Sequence, residues 1–385
     1  MSLIYLDHHA TTPCDPRVVE AMLPYFTELF GNPSSAHAAG ERTARAVDEA
    51  REQVAALVGA RPGEVIFTSG ATEANNLALL GYVRAQRERE PARRRIVVSA
   101  IEHKAVTKPA AQLAREGFEV VVLPVDAAGT VRLDVAAELI TDTTLLVAVQ
   151  AANGEVGTIQ PIRALAALAH LHGARLLCDA AQAVGKIPVD VLGWDVDFLT
   201  ISGHKLYGPQ GVGALIVRHP RRTALEPLTY GGGHERGWRA GTLNVPGIVG
   251  LGAACALAAA EMAADAQRLS ALRDLLEADL LAALPGARVN GNRSHRLPHN
   301  LSLTLPGVET EALLARLPEI ALSTGSACDS GTLEPSPTLL ALGMSRDDAR
   351  ATVRVGLGRF TTLQEIQQTA RLFAKEAIAL ATLAH

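Results

Sequence analysis

Short runs of β-branched and aliphatic residues alternate with longer stretches of helical spacing through the first half of the chain. Val65–Thr68, Ile96–Ser99, Val120–Leu123, Leu145–Val149, Leu176–Cys178 and Phe198–Ile201 read as strands buried on both faces. Thr72–Gln86, Ala105–Arg115 and Ile162–His172 carry apolar residues at helical intervals between them. Strands that alternate with helices in this way predict an α/β fold, a mostly parallel sheet with helices on both faces.

Past Gly247 the pattern changes to one long Ala-rich helix reaching about Ala283. Shorter strands follow at Asn300–Leu303 and Ala321–Ser323, and the chain closes with a helix over Leu363–Leu383. This change predicts a smaller α+β domain after the large one. The division expected is a large domain over 16–255 and a small domain built from 1–15 and 256–385. Neither an internal repeat nor a Gly/Ser linker separates them.

Composition narrows the function more than the fold. The 36 basic and 40 acidic residues leave a net charge of −4, which argues against nucleic acid as the main partner. The longest apolar run, Ile248–Ala260, falls short of the roughly 20 residues that a bilayer needs and reads as a buried helix. The N-terminus reaches Asp7 without a basic region or a long apolar stretch, so a cytoplasmic setting is expected. Cys14, Cys178, Cys255 and Cys328 are far apart, with no zinc-type or CxxC spacing, and are expected to be free thiols. The Arg84–Arg95 cluster alternates with Glu and contains Pro91, the mark of a solvated helix end and turn.

In an open parallel sheet, ligands gather beyond the carboxyl ends of the strands. Thr68-Ser69-Gly70-Ala71-Thr72-Glu73 runs from strand to helix, either as an ordinary helix cap or as a cradle for phosphate at the helix N-terminus. Glu102-His103-Lys104 and Asn153-Gly154-Glu155 follow two further strands. Asp179, at the end of Leu176-Leu177-Cys178, is either a turn residue or the partner of a buried cationic nitrogen. Ser202-Gly203-His204-Lys205 follows Phe198–Ile201. Lysine occurs only at positions 104, 108, 186, 205 and 375, and a partly desolvated amine at a strand end is suited to covalent bonding with a carbonyl. Pyridoxal 5'-phosphate is the carbonyl cofactor that suits a lysine, a carboxylate for a ring nitrogen and a phosphate cradle together.

These strings, with Tyr5-Leu6-Asp7, Ala10-Thr11-Thr12-Pro13, Gly31-Asn32-Pro33-Ser34-Ser35, Gly231-Gly232-Gly233-His234-Glu235 and Gly325-Ser326-Ala327-Cys328, resemble the cysteine desulfurases of the NifS/IscS type over nearly the whole chain. The resemblance implies the aspartate-aminotransferase-like fold type I, a seven-stranded sheet in the large cofactor-binding domain, and a homodimer. It implies Lys205 as the covalent anchor, His103 stacked on the cofactor ring, Asp179 on the ring nitrogen and Gln182 on the ring oxygen. Ala71, Thr72, Ser202 and His204 would hold the phosphate, with Thr242 reaching in from the partner subunit. Asn153 would lie near the cofactor, and Asn32 and Arg354 would hold the substrate carboxylate. A planar guanidinium suits a carboxylate on its own chemistry, and the motif match favours this over a surface ion pair for Arg354.

Cys328, in a Gly/Ser-rich loop over about 323–335 of the small domain, is the implied sulfur carrier. Cys178 and Cys255 sit in apolar runs as packing residues, and Cys14 is a weaker competitor. The implied reaction converts L-cysteine to L-alanine, leaving a persulfide for an acceptor protein such as a U-type iron–sulfur scaffold. His8-His9 replaces the more usual pairs before Ala10-Thr11-Thr12. Selenocysteine lysis, transamination and a non-catalytic scaffold are the alternatives.

Overall fold

The computed structural model describes residues 3–324 and 334–383. Thirteen strands are formed among the described residues: β1 (Ile4–Tyr5), β2 (Val65–Thr68), β3 (Arg95–Ser99), β4 (Glu119–Leu123), β5 (Thr144–Ala148), β6 (Arg175–Asp179), β7 (Phe198–Ser202), β8 (Gly213–Val217), β9 (Arg288–Val289), β10 (Asn300–Thr304), β11 (Ile320–Ala321), β12 (Ser323–Thr324) and β13 (Thr352–Gly356). β2 to β8 make one seven-stranded sheet in the order β2-β8-β7-β6-β5-β3-β4. β8 is antiparallel to both its neighbours, and the other six strands point the same way.

Strand alternation divides the core between the two faces of this sheet. Val97, Val147, Leu176, Cys178 and Leu199 pack on one side, with Val47, Val54 and Leu251 from helices. Ile96, Val98, Leu146, Leu177 and Phe198 pack on the other, against Leu77, Val83 and Leu113. β4 departs from the expectation of two-sided burial. It is an edge strand, and Val122 is 58% exposed.

The helix Val245–Ala283 joins the two units. Ile248, Leu251 and Cys255 pack in the sheet core, whereas Leu269, Leu276 and Leu280 pack in a second core with Leu301, Val355 and Phe373. By length and composition this helix is apolar enough to cross a bilayer, which the shorter Ile248–Ala260 run did not suggest. The boundary expected after residue 255 falls within it. The second core underlies an antiparallel sheet, β12-β13-β10-β9, and the helix Leu363–Leu383. Ala321–Ser323, expected as one strand, is divided at Leu322. Ile320–Ala321 pairs with β1 and Ser323–Thr324 with β13.

The N-terminal segment ties both units together. His8 N donates to Gly356 O at 3.2 Å, Thr12 N to His204 O at 2.9 Å and Asp15 N to Tyr207 O at 2.9 Å. Glu235, in the Gly-rich stretch 231–235, accepts from Phe67 N at 2.8 Å and pairs with Arg51, so that motif closes over β2.

Candidate active site

The turn after β2 is shaped for an anion. A helix runs without a break from Ala71 to Gln86, and its N-cap is Gly70, which has no side-chain oxygen to satisfy the first N–H groups. Ala71 and Thr72 head this start. A Cβ at Gly213 would lie 2.6 Å from Gly70 Cα, so only glycine lets β8 approach the turn this closely. Ser202 Oγ lies 3.8 Å from the place of a Gly70 Cβ, adding a hydroxyl to the backbone donors. His204 Nδ1 lies 3.0 Å from Thr11 Oγ1, and burial, with Lys205 nearby, lowers the imidazole to about 4 and keeps it neutral. Thr242 is exposed on the turn before Val245, and no hydrogen bond among the described residues joins it to this group.

Asp179 is a buried carboxylate at the end of β6. It accepts from Asn75 Nδ2 at 2.7 Å, Ala181 N at 3.0 Å and Thr200 Oγ1 at 3.3 Å. All three donors are neutral, and none of the ion pairs among the described residues includes it. A buried carboxylate held this way suits a cationic ring nitrogen. Asn75 links it to the anion turn, because both lie on the same helix.

Lys205 and Gln182 converge on one carbonyl. Lys205 Nζ donates to His9 O and, at 2.8 Å, to Ala10 O, while Gln182 Nε2 donates to His9 O at 3.1 Å. Lys186 is the rival amine, buried and lowered to about 7 by desolvation. Its Nζ stands over the Tyr207 ring at 4.1 Å, whereas Lys205 shares its acceptor with Gln182.

His103 caps the helix Lys104–Arg115 through Nδ1, which accepts from Ala105 N at 3.1 Å, and its side chain is exposed at the end of β3. Asn153 is buried, with Oδ1 accepting from Glu155 N and Val156 N at 2.8 and 3.0 Å. Glu102, next to His103 in the chain, accepts from Ser99 Oγ at 2.6 Å and from Gln150 N at 2.7 Å, and its Oε2 is buried without a hydrogen-bond partner among the described residues. Burial pushes this carboxyl up to about 8, and the Asp179 charge adds to the effect. Folded protein then holds a proton that unfolded chain releases near the ordinary carboxylate value, so this contribution falls as pH rises from about 4 to about 8. Glu102→Gln is therefore expected to gain stability relative to the wild type across that window and to level off above it. Urea midpoints measured at several pH values check this, and a difference independent of pH would contradict it.

Arg354 is buried, not a surface ion pair. Nη2 donates to Asp7 Oδ1 at 2.9 Å, Nε to Ser323 Oγ at 3.0 Å and Nη1 to Gly154 O at 3.4 Å. Gly154 borders Gln182, since a Cβ there would lie 2.9 Å from Gln182 Nε2. Contacts thus run from Lys205 through His9 and Gln182 to Arg354. Asn32 is exposed on the segment before the helix Ala38–Leu57, with Oδ1 accepting from Ser34 N, and no hydrogen bond among the described residues joins it to Arg354.

Cys328 lies outside the described residues. Both flanks of its segment attach to this cluster. Ser323 pairs with Arg354 across β12 and β13, and Ser336 Oγ donates to Glu155 Oε2 at 2.5 Å. Burial raises the thiol of Cys178 well above its ordinary value and that of Cys255 to about 12. The Cys14 thiol is raised by partial burial and by Asp15. A separate apolar groove of about 330 Å³, lined by Leu284, Leu305, Ile378 and Ala381 among others, shares no residue with this cluster.

Asp7, Asn75 and Thr200 are site residues to which sequence reasoning gave no role. Asp7 follows the short strand β1, and that position was its available signal. Asn75 and Thr200 carried none.

The class-V aminotransferase model, a family of pyridoxal phosphate enzymes, matches residues 4–369. A cysteine desulfurase IscS of Anaeromyxobacter is 48% identical over 376 residues, covering 97% of this chain and 92% of the relative. The human cysteine desulfurase is 45% identical, covering 95% and 80%. Among solved structures, a NifS-like protein matches with a TM-score of 0.89 at 35% identity, covering 97% of this chain and 98% of its own. SspA, solved in complex with cysteine, matches with a TM-score of 0.81 at 35% identity, covering 93% and 100%. Matching motifs, fold and identity over this much of the chain place it in the class-V aminotransferase family, among the cysteine desulfurases.

Proposed function

We propose that the chain converts L-cysteine to L-alanine and carries the released sulfur as a persulfide on Cys328. The observation that supports this best is the convergence of the Lys205 amine and the buried Arg354 fork on the His9–Gln182 contact, with the neutrally bonded Asp179 carboxylate three residues before Gln182. Pyridoxal phosphate, covalently bound, supplies an electron sink that makes the substrate α-proton acidic. The residues present fit it: Lys205 would anchor it, Asp179 would pair with the ring nitrogen and Gln182 would donate to the ring oxygen, with His103 and Asn153 as the further ring contacts. Ala71, Thr72, Ser202 and His204 would hold the phosphate, joined by Thr242 of the partner subunit.

Arg354 orients the substrate carboxylate, a role the family resemblance extends to Asn32, and the Lys205 amine takes the α-proton. His103 relays protons at the mouth. The Cys328 thiolate attacks the substrate sulfur. A sulfur–sulfur bond forms, the carbon–sulfur bond breaks, and its electron pair stays on the carbon, which is protonated to give alanine.

The exposed Leu23, Phe26, Phe30 and Tyr230, at 58%, 60%, 69% and 79%, supply apolar surface for a homodimer. A free-thiol carrier suits a cytoplasmic setting, and the persulfide passes to an acceptor protein such as a U-type iron–sulfur scaffold. Product analysis tests the reaction: alanine and sulfide, in the presence of a reductant, are expected from L-cysteine. A keto acid as main product would favour transamination instead.

A further inference from the structure

His9 is buried, and each ring nitrogen has one side-chain partner. Nδ1 lies 3.1 Å from Gln182 Oε1 and Nε2 lies 3.1 Å from Asn300 Nδ2. Two main-chain carbonyls fix the direction of both bonds. Asn300 Nδ2 also donates to Glu155 O at 3.1 Å, and Gln182 Nε2 donates to His9 O at 3.1 Å. A carbonyl oxygen only accepts, so the nitrogen of each amide is identified. Asn300 therefore donates to His9 Nε2, and the imidazole proton sits on Nδ1 and is donated to Gln182 Oε1. The other tautomer would set N–H against N–H at Asn300 and a lone pair against oxygen at Gln182.

The packing serves this arrangement. Gly157 has φ +76°, and a Cβ there would lie 2.5 Å from Asn300 Oδ1, so glycine makes room for the amide. His299 stacks on His9 with ring centroids 4.3 Å apart, and neither of its ring nitrogens has a hydrogen-bond partner among the described residues. Burial first, then the charge of Arg354, pushes His9 well below its ordinary pKa and keeps it neutral.

We propose that His9 is a positioning residue: held in one tautomer by Asn300, it locks the Gln182 amide so that the N–H not spent on His9 O faces the cofactor ring oxygen. This rests on the reading of Gln182 as the ring-oxygen donor. A donor at that oxygen stabilises its negative charge and lowers the apparent pKa of the visible chromophore, whereas a reversed amide presents oxygen and raises it.

The test is an absorbance–pH titration of the holoenzyme. His9→Ala and Gln182→Leu are each expected to raise the apparent pKa by about half to one unit. The double variant is expected to shift no further than the larger single change, because both remove one interaction. His9→Asn, whose amide nitrogen can stand in for Nδ1, is expected to titrate as the wild type. His9→Gln, whose amide nitrogen stands in for Nε2 and not for Nδ1, is expected to shift as His9→Ala does, and the His9→Asn and His9→Gln pair decides the matter if His9→Ala does not fold. A Gln182→Leu shift without a shift in His9→Ala or, in its place, His9→Gln would overturn the role of His9, as would additive shifts. A Gln182→Leu variant that titrates as the wild type would instead overturn the ring-oxygen reading beneath it.

Discussion

Cys328→Ser is expected to keep the visible absorbance of the holoenzyme and to lose alanine formation from L-cysteine by at least about 10³-fold. The retained absorbance separates loss of the sulfur acceptor from loss of the cofactor. A serine hydroxyl is a poor nucleophile toward sulfur, and the other thiols are badly placed to substitute. Cys178 and Cys255 are fully buried, with their thiols held protonated, and Cys14 is half-buried beside Asp15. Alanine formed at the wild-type rate by a variant with its cofactor intact would remove Cys328 from the mechanism.

Lys205→Ala is expected to abolish covalent attachment of the cofactor and to lower kcat by about 10⁴-fold or more, since one amine serves as both anchor and proton acceptor. Lys205→Arg keeps the positive charge without a usable nucleophile and is expected to fail similarly. Borohydride reduction followed by peptide mapping distinguishes the two candidate lysines. A label on Lys205 is expected, and a label on Lys186 would transfer the role to the amine above the Tyr207 ring.

The strands of the large sheet were legible because parallel strands covered on both faces are continuous apolar runs bounded by polar turns. Ile96–Ser99 and Leu176–Cys178 are examples. β4 misled for the same reason: Val120, Val121 and Val122 look like core, yet the strand lies at the sheet edge. The antiparallel β8 and the helix Ala38–Leu57 were not singled out. In that helix, buried Ala46, Ala50 and Val54 are spaced among many charged residues, so its apolar face is narrow.

The site was legible where chemistry follows a strand end, as at Asp179 and Lys205. It was less so where a residue acts through distant partners. Arg354 was readable as a carboxylate fork, but its pairing with Asp7 joins positions 347 apart in sequence. The His8-His9 pair stood out as a departure from the usual motif, but its meaning depends on Asn300 and Gln182, which only the fold brings to His9. Glu102 was visible within the Glu102-His103-Lys104 string, but its burial against Gln150, just past β5, was not.

The central claim is that sulfur leaves L-cysteine for one particular thiol. Mass spectrometry of the holoenzyme after brief incubation with L-cysteine, with peptide mapping under non-reducing conditions, tests it most directly. The account predicts one added sulfur atom on the peptide containing Cys328, absent from Cys328→Ser. Sulfur found on Cys14, or alanine released with no sulfur on any cysteine, would contradict it.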